Sequence, residues 1–308
     1  MVVVKTEGLT KDYRVGFWRR KVRVLHDLNL EVQEGEIFGY LGPNGAGKTT
    51  TLKLLNGLIL PTSGQAWLFG HDFREVRVKK DIGFLPENPY FYEYLTGREF
   101  LHFYGGLFGL GKRERRDRAR ELLEKVGLID AADLQLRKYS RGMLQRIGLA
   151  QALINEPELI FLDEPMSGLD PVGRKEIRDL ILKLKGEGKT VFFSSHIISD
   201  VELVCDRVGI LVGGHLISVG CLEDLLQTKM ESIDITASGL DEETAAQVEA
   251  YALRPLVRSG EKFLISVKDE EAMEEVIRVL LQAKAKIVSI LPHKESLEEH
   301  FMREVRRS

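Results

Sequence analysis

Apolar residues along this chain fall into two patterns, short unbroken runs and stripes at helical spacing. EIFGYL (36–41) and LIFL within ELIFLDE (158–164) are unbroken runs bounded by glycine or acidic residues, and TVFFSSHIISD carries a third apolar strand that ends at His196. They are too short for helices, and a strand covered on both faces has no polar side to show, so they predict central strands of a parallel sheet. TLKLLNGL (51–58) carries a helical stripe, and Thr96 and Glu99 form a capping box ahead of the aromatic-rich stretch 97–110. GKRERRDRAR (111–120) mixes both signs of charge on a helical segment, the signature of a solvated face.

From about residue 229 the pattern changes to short alternating strands and charged helices. ESIDITA predicts a strand, DEETAAQVEAYA a helix, and residues 253–267 a hairpin turning at Ser259 and Gly260. A helix over 269–285, the strand KIVSIL and a last amphipathic helix, SLEEHFMREV, complete a βαββαβ order, which predicts a small ferredoxin-like domain. At 308 residues the chain exceeds the usual reach of one hydrophobic core. The expected division is therefore a larger domain over 1–228, with a helical subdomain at about 90–155, and an accessory domain over 229–308.

Composition excludes several classes. Lys and Arg number 44 against 47 Asp and Glu, a net charge of -3, so no global basic field draws in nucleic acid. Cys205 and Cys221 are too few for a disulfide framework and are not placed as zinc ligands. The opening MVVVKTEGLTKDY lacks the basic start, long apolar run and cleavage site of a secretory signal, so none is expected, and no stretch reaches the roughly 18 apolar residues of a membrane span. A soluble, cytoplasmic protein is expected.

The chemistry begins directly after the first apolar run. Gly42, Pro43, Asn44, Gly45, Ala46, Gly47, Lys48, Thr49 and Thr50 spell GPNGAGKTT, a GxxxxGK[ST] phosphate loop between strand and helix. Its glycines let backbone amides turn in around phosphate oxygens, and the positive end of the following helix holds the anion. Lys48 is expected on the β and γ phosphates, Thr49 on magnesium and Thr50 on the α phosphate. At the end of the second run, Asp163 and Glu164 would emerge beside those phosphates, because ligands of an open parallel sheet sit beyond the carboxyl ends of its strands. Asp163 is the expected holder of magnesium, and Glu164 the carboxylate that polarises an attacking water.

The order of these pieces, with MSGLDP after the acidic pair and His196 closing the third run, resembles the ATP-binding cassette ATPases, the nucleotide-binding subunits of ABC transporters. The likeness spans about residues 4–228, and YSRGM (Tyr139–Met143) stands where that family carries LSGGQ. The resemblance implies an α/β P-loop NTPase cassette with a mixed sheet and helical subdomain, acting as a head-to-tail homodimer. In it Ser140 and Gly142 would close on the γ phosphate bound to the other copy; Ser140 also reads as a plain helix cap. Arg141 and Met143 depart from the pattern. Tyr13 takes the position of an adenine-stacking ring, or is an ordinary strand tyrosine. Glu87 replaces a glutamine that touches magnesium, a change common in exporter-type members, and so is both a nucleotide-site and a metal-site candidate. Asp170 matches an interface-crossing acid, or caps a helix. His196 matches the switch histidine that orients Glu164 and its water.

The function so implied is ATP hydrolysis, with ATP and Mg²⁺ as cofactors, energising export through a separate permease on the inner face of the cell membrane. Tyr90, Phe91 and Tyr92 are candidate contacts for that partner, and the C-terminal domain would be regulatory or dimer-stabilising. The alternative is a soluble cassette protein working on a nucleic-acid or ribosomal partner. Such proteins typically join two cassettes in one chain or insert a long coiled coil, and neither pattern occurs here. P-loop kinases lack a YSRGM-like element, and no Asn-Lys-x-Asp motif of a GTPase is present. No nucleic-acid partner is therefore expected.

Overall fold

A computed structural model describes residues 1–16, 20–222 and 230–294. The helix expected over 296–305 and the expected boundary at 228/229 lie outside the described residues. The chain divides into two compact units, one over residues 1–222 and a second after it.

The first unit holds two sheets. One has six strands in the order β10 (His215–Cys221), β9 (Arg207–Val212), β3 (Ile37–Leu41), β8 (Thr190–Ser195), β7 (Leu159–Asp163) and β6 (Ile82–Leu85). The pairings from β9 to β6 are parallel and β10 is an antiparallel edge, so the sheet is mixed as expected. Strands β3, β7 and β8 are buried at every residue, which is why their sequences show no alternation. Phe38, Tyr40 and Phe161 all pack around Phe192, with ring centroids 5.2–5.7 Å apart. The first apolar run enters β3 directly, but the third strand ends at Ser195, one residue before His196.

The other sheet is antiparallel, in the order β2 (Arg20–Gln33), β1 (Val2–Val15), β4 (Ser63–Leu68), β5 (His71–Asp72). Leu28, Leu30 and Val32 of β2 face the core while their neighbours face out, the alternation of a sheet with one wet side.

Helices α1 (Lys48–Leu55), α2 (Gly97–Leu107), α3 (Lys112–Lys125), α4 (Arg141–Ala152), α5 (Pro171–Gly186) and α6 (Ile198–Glu202) complete this unit. The capping box is present at α2: the Glu99 amide donates to Thr96 Oγ1 at 3.2 Å, and the Thr96 amide donates to the Glu99 carboxylate at 2.9 Å. α1 begins three residues before the apolar stripe suggests, because Gly47 at φ 110° sets its start and leaves Lys48 in the first turn. α3 buries Ala119, Leu122 and Leu123 and exposes most of its charges, while Arg115, Arg118 and Lys125 are only partly exposed.

The second unit runs β11 (Met230–Ser238), α7 (Glu242–Glu249), β12 (Val257–Ser259), β13 (Lys262–Val267), α8 (Glu270–Gln282) and β14 (Lys286–Lys294), with its sheet in the order β12-β13-β11-β14. All of its pairings are antiparallel. Ile233, Ile235, Ile265 and Val267 pack with Val248, Val276 and Leu280 of the helices into a core of its own. The hairpin turns on Gly260 and Glu261, one position later than the sequence suggests, where Gly260 supplies the positive φ of 62°.

Candidate active site

β3, β8 and β7 run in the same direction, so the loops that follow them leave from one edge. β8 lies between the other two. Leu41 of β3 pairs with Ser195, and Asp163 of β7 pairs with Ser194, so the phosphate loop and the acidic pair face each other across the end of β8. The loop is seated by backbone contacts: the Gly42 amide donates to the Ser195 carbonyl at 3.2 Å, and a Cβ on Gly42 would stand 2.3 Å from the Leu211 carbonyl oxygen. Beneath α1, the buried Tyr40 hydroxyl lies 3.3 Å from Thr51 Oγ1, and burial raises its pKa.

Ser194 is the joint between the two acids. Its hydroxyl donates to Asp163 Oδ1 at 2.7 Å and accepts from the Glu164 amide at 3.0 Å. Thr49 Oγ1 donates to the same Asp163 oxygen at 3.2 Å. Burial raises the pKa of Asp163, these two hydroxyls oppose the rise, and the charges of Glu87 and Glu164 add to it. The group therefore carries a carboxylate held at a cost, which a cation would relieve.

Glu164 stands at φ 50°, outside the comfortable range of a non-glycine residue. Its two carboxylate oxygens have different partners: Oε1 lies 3.1 Å from Lys48 Nζ and Oε2 lies 2.8 Å from His196 Nδ1. Lys48 and Glu164 are only 6% and 8% exposed, so this ion pair is screened little by water. Lys48 Nζ also donates to the carbonyls of Gly42 at 2.6 Å and Pro43 at 3.2 Å. The ammonium is thus poised at the floor of the loop, with its charge already compensated by the carboxylate opposite.

These groups border a cleft of about 390 Å³, lined by Val24, Asn44, Gly45, Gly47, Lys48, Thr49, Thr50, Glu87, Glu164, Ser167 and His196. Most of the expected site is therefore gathered in one place. Tyr13 does not line the cleft; its ring lies under Lys11 Nζ at 5.2 Å, and Val24 forms the wall on the β2 side. Ser140 and Gly142 do not line it either. Ser140 caps α4 by accepting from the Met143 amide at 3.2 Å, and a Cβ on Gly142 would meet no atom within 4 Å. Asp170 caps α5, accepting from the Gly173 amide at 2.8 Å. Ser194 and Ser167 were not singled out by the sequence reading. A serine pair closing an otherwise apolar strand, as in TVFFSSH, is the signal that points to Ser194.

Thr49, Asp163 and Glu87 offer hydroxyl and carboxylate oxygens, the donor class that suits magnesium. Among the described residues no group of three or more His, Cys, Asp or Glu side chains could hold a metal ion. A magnesium ion here must draw further ligands from phosphate oxygens and water, as it does in nucleotide sites.

Comparison with known proteins decides the family. An ABC transporter ATP-binding protein of Synechocystis is 45% identical over 307 residues, covering 99% of this chain and 85% of its own length. The chain belongs to the ABC transporter family of ATP-binding subunits. The ABC transporter family profile matches residues 25–167, from β2 through the loop after Glu164. The bacitracin transport ATP-binding protein BcrA of Bacillus licheniformis is 34% identical, with 98% of this chain and 96% of that one covered. Among solved structures, the ATP-binding cassette MJ0796, determined as a dimer in a post-hydrolysis state with ADP and Pi, superposes with a TM-score of 0.65 at 29% identity, over 71% of this chain and 98% of that one. The fold is accordingly that of an ABC cassette, and the protein is an ABC ATPase that binds ATP. Among the described residues no helix is long and apolar enough to cross a membrane.

Proposed function

We propose that two copies of this chain close head to tail over ATP, hydrolyse it, and by opening again drive export through a separate membrane permease, from the cytoplasmic side. The observation that carries this reading is the split of the chemistry within one copy. The phosphate loop, Glu164 and His196 share one cleft, to which the buried Asp163 is joined through Thr49, whereas Ser140 and Gly142 stand elsewhere with open space before the glycine. A second copy would bring those two groups over the first copy's γ phosphate, where the amide end of α4 suits an anion.

In this reading Lys48 and Thr50 hold phosphate oxygens, and Thr49, Asp163 and Glu87 hold magnesium, which supplies charge neutralisation at the phosphates. Asp170 lies at the interface between copies, and Tyr13 stacks on adenine. Glu164 takes a proton from the attacking water, with His196 fixing one of its oxygens. The incoming triphosphate competes for Lys48, which frees Oε1 of Glu164 for that water. Glu87 in place of glutamine, and a C-terminal unit with ferredoxin-like connectivity, support the exporter subgroup. The named bacitracin transport relative is in keeping with it. For the permease contact, Tyr90 and Tyr92 are exposed at 84% and 36%. Phe91 instead packs on Phe100 at 5.5 Å, so it supports the surface from below.

Replacing Glu164 by Gln tests the chemistry. Hydrolysis is expected to fall about a hundredfold or more, while an ATP-dependent dimer accumulates on size-exclusion chromatography. Full turnover would remove Glu164 from its role. Affinity purification from solubilised membranes tests the partner: a polytopic membrane protein is expected, and ribosomes or nucleic acid in its place would favour the alternative reading.

A further inference from the structure

Arg141, which departs from the family pattern, makes an unexplained contact. It is the first residue of α4, between the capping Ser140 and Gly142. A cation gains nothing from the amide end of a helix. Among the described residues it has no hydrogen bond or ion pair, and its guanidinium instead lies against the backbone of Gly168. A Cβ built on Gly168 would fall 2.2 Å from Arg141 Cζ and 2.2–2.3 Å from both terminal nitrogens. Gly168, at φ 66°, needs glycine for its backbone; the contact demands it a second time.

Gly168 belongs to a stiff loop. The Ser167 amide donates to the Glu164 carbonyl at 3.0 Å, the Leu169 amide donates to the Met166 carbonyl at 3.4 Å, Met166 is buried, and Asp170 caps α5. A displacement at Gly168 is therefore felt at Glu164, four residues earlier, whose backbone is already strained. α4 is tied to the same body a second time, by Arg146 Nε and Glu176 Oε2 of α5 at 3.4 Å.

We propose that Arg141 is a positioning residue: its guanidinium plane bears on Gly168 and sets the loop carrying Glu164 according to where the start of α4 stands. Resting on the reading of Ser140 and Gly142 as the lid of the other copy's phosphate, this makes closure over the partner's nucleotide a condition for placing the chain's own carboxylate. Both sites of a dimer then become competent together. A lysine cannot replace it, because an ammonium on a flexible stem has no plane to bear on the backbone.

A double-mutant cycle of Arg141→Ala and Gly168→Ala tests this, with kcat and KM for ATP measured alongside nucleotide binding and the melting temperature. Arg141→Ala is expected to lower kcat about tenfold with KM changed less than about twofold. Arg141→Lys should stay near the alanine value. Gly168→Ala should also lower kcat, and the double variant should be no slower than the slower single, because the added methyl harms catalysis through the arginine it displaces; the backbone cost of alanine at positive φ is common to both arms of the cycle. Wild-type kcat in Arg141→Ala, additive losses, or a melting-temperature change with kcat intact would each overturn the proposal. A fall in nucleotide affinity with kcat preserved would overturn it too, making Arg141 a phosphate-binding group. If the wild-type enzyme hydrolyses ATP at a rate per molecule independent of dilution, the composite-site reading fails instead, whatever the cycle shows.

Discussion

At the scale of single residues, the site depends on hydroxyls that neutralise one another's demands. Ser194 satisfies the Glu164 amide and shares Asp163 Oδ1 with Thr49, so Ser194→Ala leaves a buried N–H without its acceptor. That change is expected to cost about 1–3 kcal/mol in denaturant unfolding and to slow hydrolysis, since Glu164 loses the bond that fixes its backbone. Asp163 supplies a pH test. Because burial raises its folded pKa above 3.8, the folded state holds this proton more tightly than the unfolded chain. The stability it contributes is complete below the unfolded pKa and is lost as pH rises through the raised folded value. Asp163→Asn, assayed without nucleotide or magnesium, should therefore melt higher than wild type at neutral pH, with the gain vanishing near pH 3. Its hydrolysis should be strongly impaired, the trade between stability and activity expected of a charge kept for function.

At the scale of elements, local chemistry was legible wherever the chain itself contains both partners. The Thr96–Glu99 box lies within four consecutive residues, and it forms as read. Thr96→Ala should cost about 1 kcal/mol in chemical denaturation, and loosening the start of α2 should first expose the aromatic packing of Phe100 on Tyr104. The continuous apolar runs became β3, β7 and β8 for the same reason: a run without a polar side can only be buried. The long β1–β2 hairpin was less legible. Its pairing shifts register four times, and Asp27 sits at φ 46°, so the alternation that marks a strand is broken repeatedly. β6 is only four residues long and draws its identity from pairing with β7, which no local pattern announces.

At the scale of the molecule, each unit has its own core, and the residues lining the cleft at the phosphate loop all come from the first. A chain ending at Leu222 is therefore expected to fold and to bind ATP within about twofold of the full protein, measured by titration of a fluorescent nucleotide. Loss of binding would assign the second unit a part in nucleotide capture rather than in regulation or dimer stability.

The sequence by itself determined three local features: a glycine loop with Lys48 and Thr49 between a strand and a helix, acids closing an apolar run, and the capped start of α4. These follow from short-range sterics and from bonds between near neighbours, which a linear pattern records. Only the tertiary structure decided that β8 lies between β3 and β7, that Ser194 joins the two acids, that Lys48 and His196 divide the oxygens of Glu164, and that Arg141 rests on Gly168. Buried apolar runs are interchangeable in composition, so their order in a sheet is set by how distant segments pack together, and every contact made across that order is invisible until the chain has folded.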